Sequence, residues 1–261
     1  MKDIKRHSPG TFSWIELGTS DTSGAKKFYQ SLFGWTAMDV PMGPDFTYTI
    51  LQLEGQDVGA LYQLMPDQVS QGVPPNWLSY VEVQSADDAV RNIKELGGKL
   101  IVEPMDVPQA GRFAVIEDPQ GAKFGIWQSG QSTGLKMRDE VGSLVWNELG
   151  TTDEKGGEKF YTTLFGWQTE PMPGGPMKYT IFKHDSKGFA GMYQLTPEMK
   201  GIPPHWVPYF AVANADDAIN RTNEGGGKVM NGPMDIPDVG RIAIAQDPQG
   251  AMFAIIKPAP R

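Results

Sequence analysis

The chain has 261 residues, 39% hydrophobic and 21% charged, a balance that argues against a disordered or membrane-embedded protein and gives enough length for two ordinary domains. Its net charge is −8 and its 23 basic residues form no cluster, so no nucleic-acid surface is expected. Cysteine is absent, which removes disulfides and thiolate chemistry and agrees with a cytoplasmic setting, and neither a run of roughly 18 apolar residues nor a signal-like apolar stretch in MKDIKRHSPG points to a membrane or to secretion.

Residues 12–18 alternate as a strand, with Ile15 and Leu17 on one face and Trp14 and Glu16 on the other. A helix is predicted over 21–33, opened by Asp21, Thr22 and Ser23 and closed by Gly34. Strands near 36–40, 46–53 and 58–64 follow, separated by Pro/Gly turns. After Pro74-Pro75 the order restarts, with a strand at 78–83 and a helix at 86–96 that begins near Ser85 and stops at Gly97-Gly98. Strands near 99–103, 112–117 and 123–128 complete it, the last two joined by the turn Asp118-Pro119-Gln120-Gly121. Residues 130–139, starting with Gly130-Gln131-Ser132-Thr133-Gly134, read as a linker.

Beyond the linker the same text returns. Trp14-Ile15-Glu16-Leu17-Gly18-Thr19 recurs as Trp146-Asn147-Glu148-Leu149-Gly150-Thr151, and Lys27-Phe28-Tyr29 through Leu32-Phe33-Gly34-Trp35 recurs as Lys159-Phe160-Tyr161 through Leu164-Phe165-Gly166-Trp167. Pro74-Pro75-Asn76-Trp77 recurs as Pro203-Pro204-His205-Trp206, and Asp118-Pro119-Gln120-Gly121-Ala122 as Asp247-Pro248-Gln249-Gly250-Ala251. The chain is thus a tandem duplication with domains at 8–129 and 140–258, each half built of two β-α-β-β-β modules, four in all.

A βαβββ module, a helix ending in FYxxLFGW and a DPxG turn before the last strand, in fixed order in both halves, resemble the vicinal oxygen chelate superfamily of glyoxalases, bleomycin-resistance proteins and extradiol dioxygenases. The resemblance covers about residues 10–257 and implies an α+β fold in which curved mixed sheets enclose clefts. It also implies a divalent metal held by His, Gln or Glu on inward strand positions. Carried onto this chain, those positions fall on Trp14, Leu78 and Gly125 in the first half and on Trp146, Val207 and Ala254 in the second. No metal site and no cofactor are therefore expected, because a borderline divalent ion needs several imidazoles or carboxylates. The three histidines are placed ahead of the fold (His7), in a hairpin turn (His184) and at a strand start (His205). The last, with Glu148, is the one pair able to rescue a metal site.

The expected clefts carry Trp14, Tyr80, Gly125 and Trp127 in the first half and Trp146, Tyr209 and Ala254 in the second, an aromatic wall around small residues suited to a small molecule. Glu16 and Glu148, among indoles, are the candidate catalytic bases or hydrogen-bond partners. Arg112 and Arg241 are candidate anion clamps, with surface ion pairing as the alternative. The halves differ, with Glu82, Lys123, Gly125 and Trp127 in the first where the second has Ala211, Met252, Ala254 and Ile256. Three functions stay open: a metal-independent protein that binds a small aromatic or apolar molecule, a glyoxalase-like or hydroxylase-like enzyme, and a scaffold with closed clefts. Self-association is not legible.

Overall fold

The structure is a computed structural model that describes residues 4, 6–172 and 178–260. The first half runs β1 (Phe12–Thr19), α1 (Thr22–Phe33), β2 (Thr36–Pro41), β3 (Thr47–Leu53), β4 (Gln56–Gln63), a short α2 (Pro66–Ser70), β5 (Asn76–Glu82), α3 (Ala86–Glu95), β6 (Lys99–Val107), β7 (Gly111–Glu117) and β8 (Lys123–Ser129). The second half repeats it as β9 (Leu144–Thr151), α4 (Glu154–Phe165), β10 (Gln168–Pro171), β11 (Tyr179–His184), β12 (Lys187–Gln194), a 3-10 turn (Pro197–Met199), β13 (His205–Ala211), α5 (Ala215–Glu224), β14 (Lys228–Ile236), β15 (Gly240–Gln246) and β16 (Met252–Pro258). The four βαβββ modules are therefore present. The helical turns after β4 and β12 are additions that the pattern did not reveal, and β6 runs past Pro104 because two register shifts against β7 absorb the proline.

Local signals account for the helices. In α1 the Asp21 side chain accepts the Gly24 N–H at the N-terminus, and Gly34 closes the helix at φ 76°, in the left-handed region that favours glycine. Ala25, Phe28, Tyr29, Leu32 and Phe33 fall on one face at helical spacing, and all are buried.

Strand pairing joins the two modules of each half into one curved, open eight-stranded sheet, in the order β2-β3-β4-β1-β5-β8-β7-β6 and its counterpart β10-β11-β12-β9-β13-β16-β15-β14. Side-chain packing does the opposite and joins modules across halves. One core unites Ile15, Leu17, Phe28, Tyr29, Trp35 and Trp77 of the first half with Phe210, Ala243, Phe253 and Ile255 of the second. A second core unites Val81, Ile116, Phe124 and Ile126 with Leu149, Phe160, Tyr161, Trp167 and Trp206. Both lie on the helix-covered faces of the sheets, so neither half holds a main core by itself.

The repeated motifs form this junction. The Tyr29 hydroxyl donates to Asp247 Oδ2 at 3.0 Å, and Tyr161 donates to Asp118 Oδ2 at 2.9 Å. Each tyrosine oxygen also accepts from an indole of its own half, Trp77 or Trp206, at 2.9 Å. The other oxygen of Asp118 accepts the N–H groups of Gln120, Gly121 and Ala122, so the DPxG aspartate spends its acceptors on its own turn and on the opposite half. Trp35 and Trp167, which end the helix motif, donate across the junction to the carbonyls of Gly142 and Gly10, both at 2.7 Å. The connection at 130–139 is correspondingly no slack tether: Leu135 and Met137 are buried, and the Leu135 N–H donates to the Ser13 carbonyl. His7, expected ahead of the fold, is buried too, with Nε2 bonded to the Leu135 carbonyl at 2.9 Å. Among the described residues no helix is long and apolar enough to cross a membrane.

Because the cores are shared, both halves are expected to unfold in one cooperative transition, followed by urea titration of the full chain. Tyr29→Phe and Tyr161→Phe each orphan a buried carboxylate oxygen and an indole N–H, and each should lower stability by about 1–3 kcal/mol. Two separate transitions, or silent variants, would contradict the shared junction.

Candidate functional site

With the helices and cores on one face of each sheet, the opposite, concave faces are left to function. Register assigns their residues. Trp14 stands across from Tyr80, Glu16 from Leu78 and Gly18 from Asn76, while Tyr80 pairs with Gly125 and Glu82 with Trp127. On the other side Glu16 pairs with Ala60 and Gly18 with Tyr62, and Tyr62 stands across from Tyr48. The concave face of the first half is thus aromatic. Trp14, Glu16, Tyr48, Ile50, Tyr62, Leu78, Phe113, Val115 and Trp127 are all partly exposed, whereas their strand neighbours Ile15, Leu17, Leu61, Ile116 and Ile126 on the other face are fully buried.

At its centre sits a hydrogen-bonded cluster. Glu16 Oε2 accepts from the Tyr48 hydroxyl at 2.6 Å and Oε1 from the Tyr80 hydroxyl at 2.7 Å. The Trp14 indole donates to the Tyr48 oxygen at 2.8 Å. Burial raises the Glu16 carboxyl above the usual carboxylate range, against the two phenolic bonds, which favour its charge. Burial and then the Glu16 charge lift the phenols, Tyr48 and Tyr80 well above the ordinary value and Tyr62 to about 12.

The second half repeats the cluster. Trp146 donates to the Tyr179 oxygen at 3.0 Å, Tyr209 donates to Glu148 Oε1 at 2.6 Å, and Tyr179 is also within hydrogen-bonding reach of that carboxylate. Burial likewise raises Glu148. Here, however, the face has drawn together. Val207, Tyr209, Ile242, Ala254 and Ile256 are buried and form a small cluster of their own with Trp146, Met234 and Ile244 against them. The equivalent Leu78, Phe113 and Trp127 of the first half stay partly exposed.

The structure therefore brings together Trp14, Glu16 and Tyr80, and Trp146, Glu148 and Tyr209. Gly125 and Ala254 lie on the same faces, but the space over Gly125 is filled by the Tyr80 ring, into which a Cβ there would run. Trp127 reaches outward across Gly111, and its indole nitrogen is buried without a partner. Glu82 is buried, with Oε1 accepting from the Ser129 N–H, and Lys123 is exposed. Arg112 is not brought to the cluster. Its guanidinium bonds Asp106 and Asp87 at 2.9 and 3.0 Å on the surface, and Arg241 bonds Asp235 and Asp216 in the same way. These arginines line shallow depressions of about 330 and 370 Å³ at the outer ends of the sheets. The residues that sequence reasoning missed are Tyr48, Tyr62, Tyr179 and Tyr193. Their signal was available, since all eight tyrosines of the chain recur in pairs, 29 with 161, 48 with 179, 62 with 193 and 80 with 209.

A divalent metal does not suit these residues. Indole N–H groups cannot ligate, and both oxygens of Glu16 already accept phenolic protons. Among the described residues no three His, Asp or Glu side chains converge.

Comparison with known proteins follows the duplication. The model of the Glyoxalase/Bleomycin resistance protein/Dioxygenase superfamily matches residues 11–126 and again 144–255. The chain is 39% identical over 263 residues to a Mycobacterium tuberculosis protein (strain CDC 1551 / Oshkosh) named "Putative glyoxylase CFP32", covering 100% of both chains. It is 33% identical to the anthracycline biosynthesis protein DnrV of Streptomyces peucetius, covering 97% of this chain and 95% of that one. Among solved structures, the Mn(II)-bound glyoxalase of Novosphingobium aromaticivorans superposes with a TM-score of 0.67 at 15% identity over 95% of this chain and 82% of that chain, which is a likeness of fold.

The raised carboxyls carry a pH signature. A carboxyl whose folded pKa lies above its unfolded value of about 4.5 makes the folded state bind more protons. Its stabilising contribution is complete below that unfolded value and is lost as pH rises through the folded one. Glu16→Gln and Glu148→Gln should therefore gain in melting temperature relative to the parent chain as pH rises from about 4 to about 8. A pH-independent difference would show that these carboxyls are not perturbed.

Proposed function

The chain belongs to the glyoxalase/bleomycin resistance protein/dioxygenase superfamily, and from that premise we propose that it binds a small, planar, hydroxylated aromatic molecule on the concave face of its first half without a divalent metal. The observation that carries this reading is the Trp14–Tyr48–Glu16–Tyr80 cluster at the centre of a partly exposed aromatic face. Apolar surface of this kind, left open to solvent opposite a fully packed face, marks a ligand surface. Trp14, Phe113 and Trp127 offer stacking area. With their protons given to Glu16, Tyr48 and Tyr80 present oxygen lone pairs, which suit a ligand hydroxyl that donates. The name of the Streptomyces peucetius relative fits this class, since anthracyclines are planar hydroxylated aromatics.

A second reading, proton transfer by Glu16 within an enzyme, is favoured by the burial that raises the proton affinity of its carboxyl. One experiment separates the two. A hydroxyanthraquinone titrated into the full chain should quench tryptophan fluorescence, and Trp14→Ala should weaken binding at least about tenfold, the loss of a stacked indole wall. For a binding protein, Glu16→Gln should cost about 1–2 kcal/mol of affinity. For an enzyme, it should spare binding and lower turnover by about 100-fold or more. Binding insensitive to Trp14 and Glu16 alike would remove the first concave face from consideration.

Metal independence is tested separately. Dialysis against a strong chelator should leave the affinity unchanged, and elemental analysis of untreated protein should find no stoichiometric Zn, Ni, Mn or Fe. Near one metal per chain, lost on His205→Asn or Glu148→Gln, would overturn it.

A further inference from the structure

We propose that the second concave face has a different chemistry, a proton-accepting site in which Nε2 of His205, beside the Tyr193 hydroxyl, takes the proton of a weakly acidic hydroxyl on a small aromatic ligand. The ligand class rests on the reading above, whereas the proton-accepting group rests on geometry of its own.

His205 opens β13 across from Gly150, two positions along from the Val207–Glu148 pair, so its ring lies on the concave face. Gly150 makes room for the His205 ring and the Tyr193 hydroxyl, which fill the place a side chain there would take. The point a Cβ would occupy is 2.9 Å from His205 Cε1 and 2.9 Å from Tyr193 Oη, so the two groups share one small space, no more than about 6 Å apart. The ring is oriented by its other nitrogen. Nδ1 lies 2.7 Å from the Pro203 carbonyl, and a carbonyl only accepts, so Nδ1 carries the proton and Nε2 keeps the lone pair. Burial lowers the imidazole below its ordinary value, outweighing the carbonyl bond, so the ring is neutral at pH 7.

The duplication supplies an internal control. In the first half the same register position, across from Gly18, is Asn76, and its side-chain nitrogen donates to the Pro74 carbonyl at 2.8 Å. Holding that turn carbonyl therefore needs only a donor, which asparagine supplies. Histidine adds a lone-pair nitrogen that the turn does not use. Of the other two histidines, His7 and His184 both direct Nε2 at a backbone carbonyl, Leu135 and Pro9 respectively.

In the proposed step the ligand O–H bond breaks and its electron pair stays on oxygen. The proton forms an N–H bond at Nε2, giving an imidazolium, and the Tyr193 hydroxyl donates to the ligand oxyanion. The titratable groups facing this site are Glu148 on β9, Tyr179 on β11, Tyr193 on β12 and Tyr209 on β13, and burial with the Glu148 charge keeps the phenols protonated.

The test uses the full chain with 4-nitrophenol and its methyl ether, 4-nitroanisole. The phenol should bind about tenfold more tightly than the ether, the scale of one charge-assisted hydrogen bond, and bound phenol should show phenolate absorption at a pH where the free probe is protonated. His205→Asn, which restores the residue of the first half and its carbonyl contact, should bring phenol and ether to equal affinity and abolish the phenolate absorption. Tyr193→Phe should weaken the phenolate signal. Phenol preference that survives in His205→Asn overturns the assignment. Nitrogen-15 NMR of the imidazole needs no ligand. A ring protonated at Nδ1 and titrating below 6.5 supports the site, and Nε2 protonated throughout overturns it. If neither probe binds, the ligand reading falls and the imidazole spectrum alone decides for or against the proton-accepting group.

Discussion

The reciprocal tyrosine–aspartate bond across the two halves is the constraint on which the rest of the molecule depends. Tyr29 reaches Asp247 and Tyr161 reaches Asp118, and each phenol is held in turn by an indole of its own half. A buried carboxylate is costly unless its acceptors are filled. Here three backbone N–H groups of the DPxG turn and one phenolic O–H fill those of Asp118. Breaking any member exposes the others to that cost, so helix, turn and PPxW segment are retained as a set. The same network makes the two halves one folding unit, since each core is built half from one repeat and half from the other.

That arrangement decides where function can sit. The helix-covered faces are committed to the junction, with Phe12, Ile15, Leu17, Phe124 and Phe253 completely buried. The concave faces carry none of this load, and they hold the remaining six tyrosines, three around each glutamate. Each carboxylate is thus ringed by phenols. Its charge is stabilised by O–H donors, and its proton affinity is raised by burial.

Much of this was legible in the sequence. Period-two alternation in 12–18 put Ile15 and Leu17 in the core and Trp14 and Glu16 together on the other face, and the capping residues set α1 within a residue of its true start. The repeat disclosed the modules and the DPxG turns. Which modules pack together was not legible, because strand order obeys hydrogen bonding within a half while Phe28 and Phe253 are apolar residues like any others until they meet. The tyrosines show only through their paired recurrence: within β3 and β4 themselves, Tyr48 and Tyr62 are single aromatic residues among Thr, Leu and Gln and read as ordinary strand composition. Gly125 is a different case. A small residue on an inward position reads as room for a ligand, but the room belongs to the ring of Tyr80 on the neighbouring strand.

Duplication followed by this division of labour explains why the two faces differ while the two junctions do not. Substitution in FYxxLFGW or DPxG damages both halves at once, because each motif serves its partner as well as itself. A change on one concave face is felt only there. Leu78, Phe113 and Trp127 remain partly exposed on the first face, while Val207, Ile242 and Ile256 are buried in a compact apolar cluster on the second. The second face is also the one with an imidazole in place of an amide, at a position where the backbone asks for no more than a donor. The more deeply buried face strengthens each hydrogen bond made within it. Neutral imidazole and phenol bring no charge of their own into such surroundings, whereas the carboxylate on each face depends on its phenolic donors.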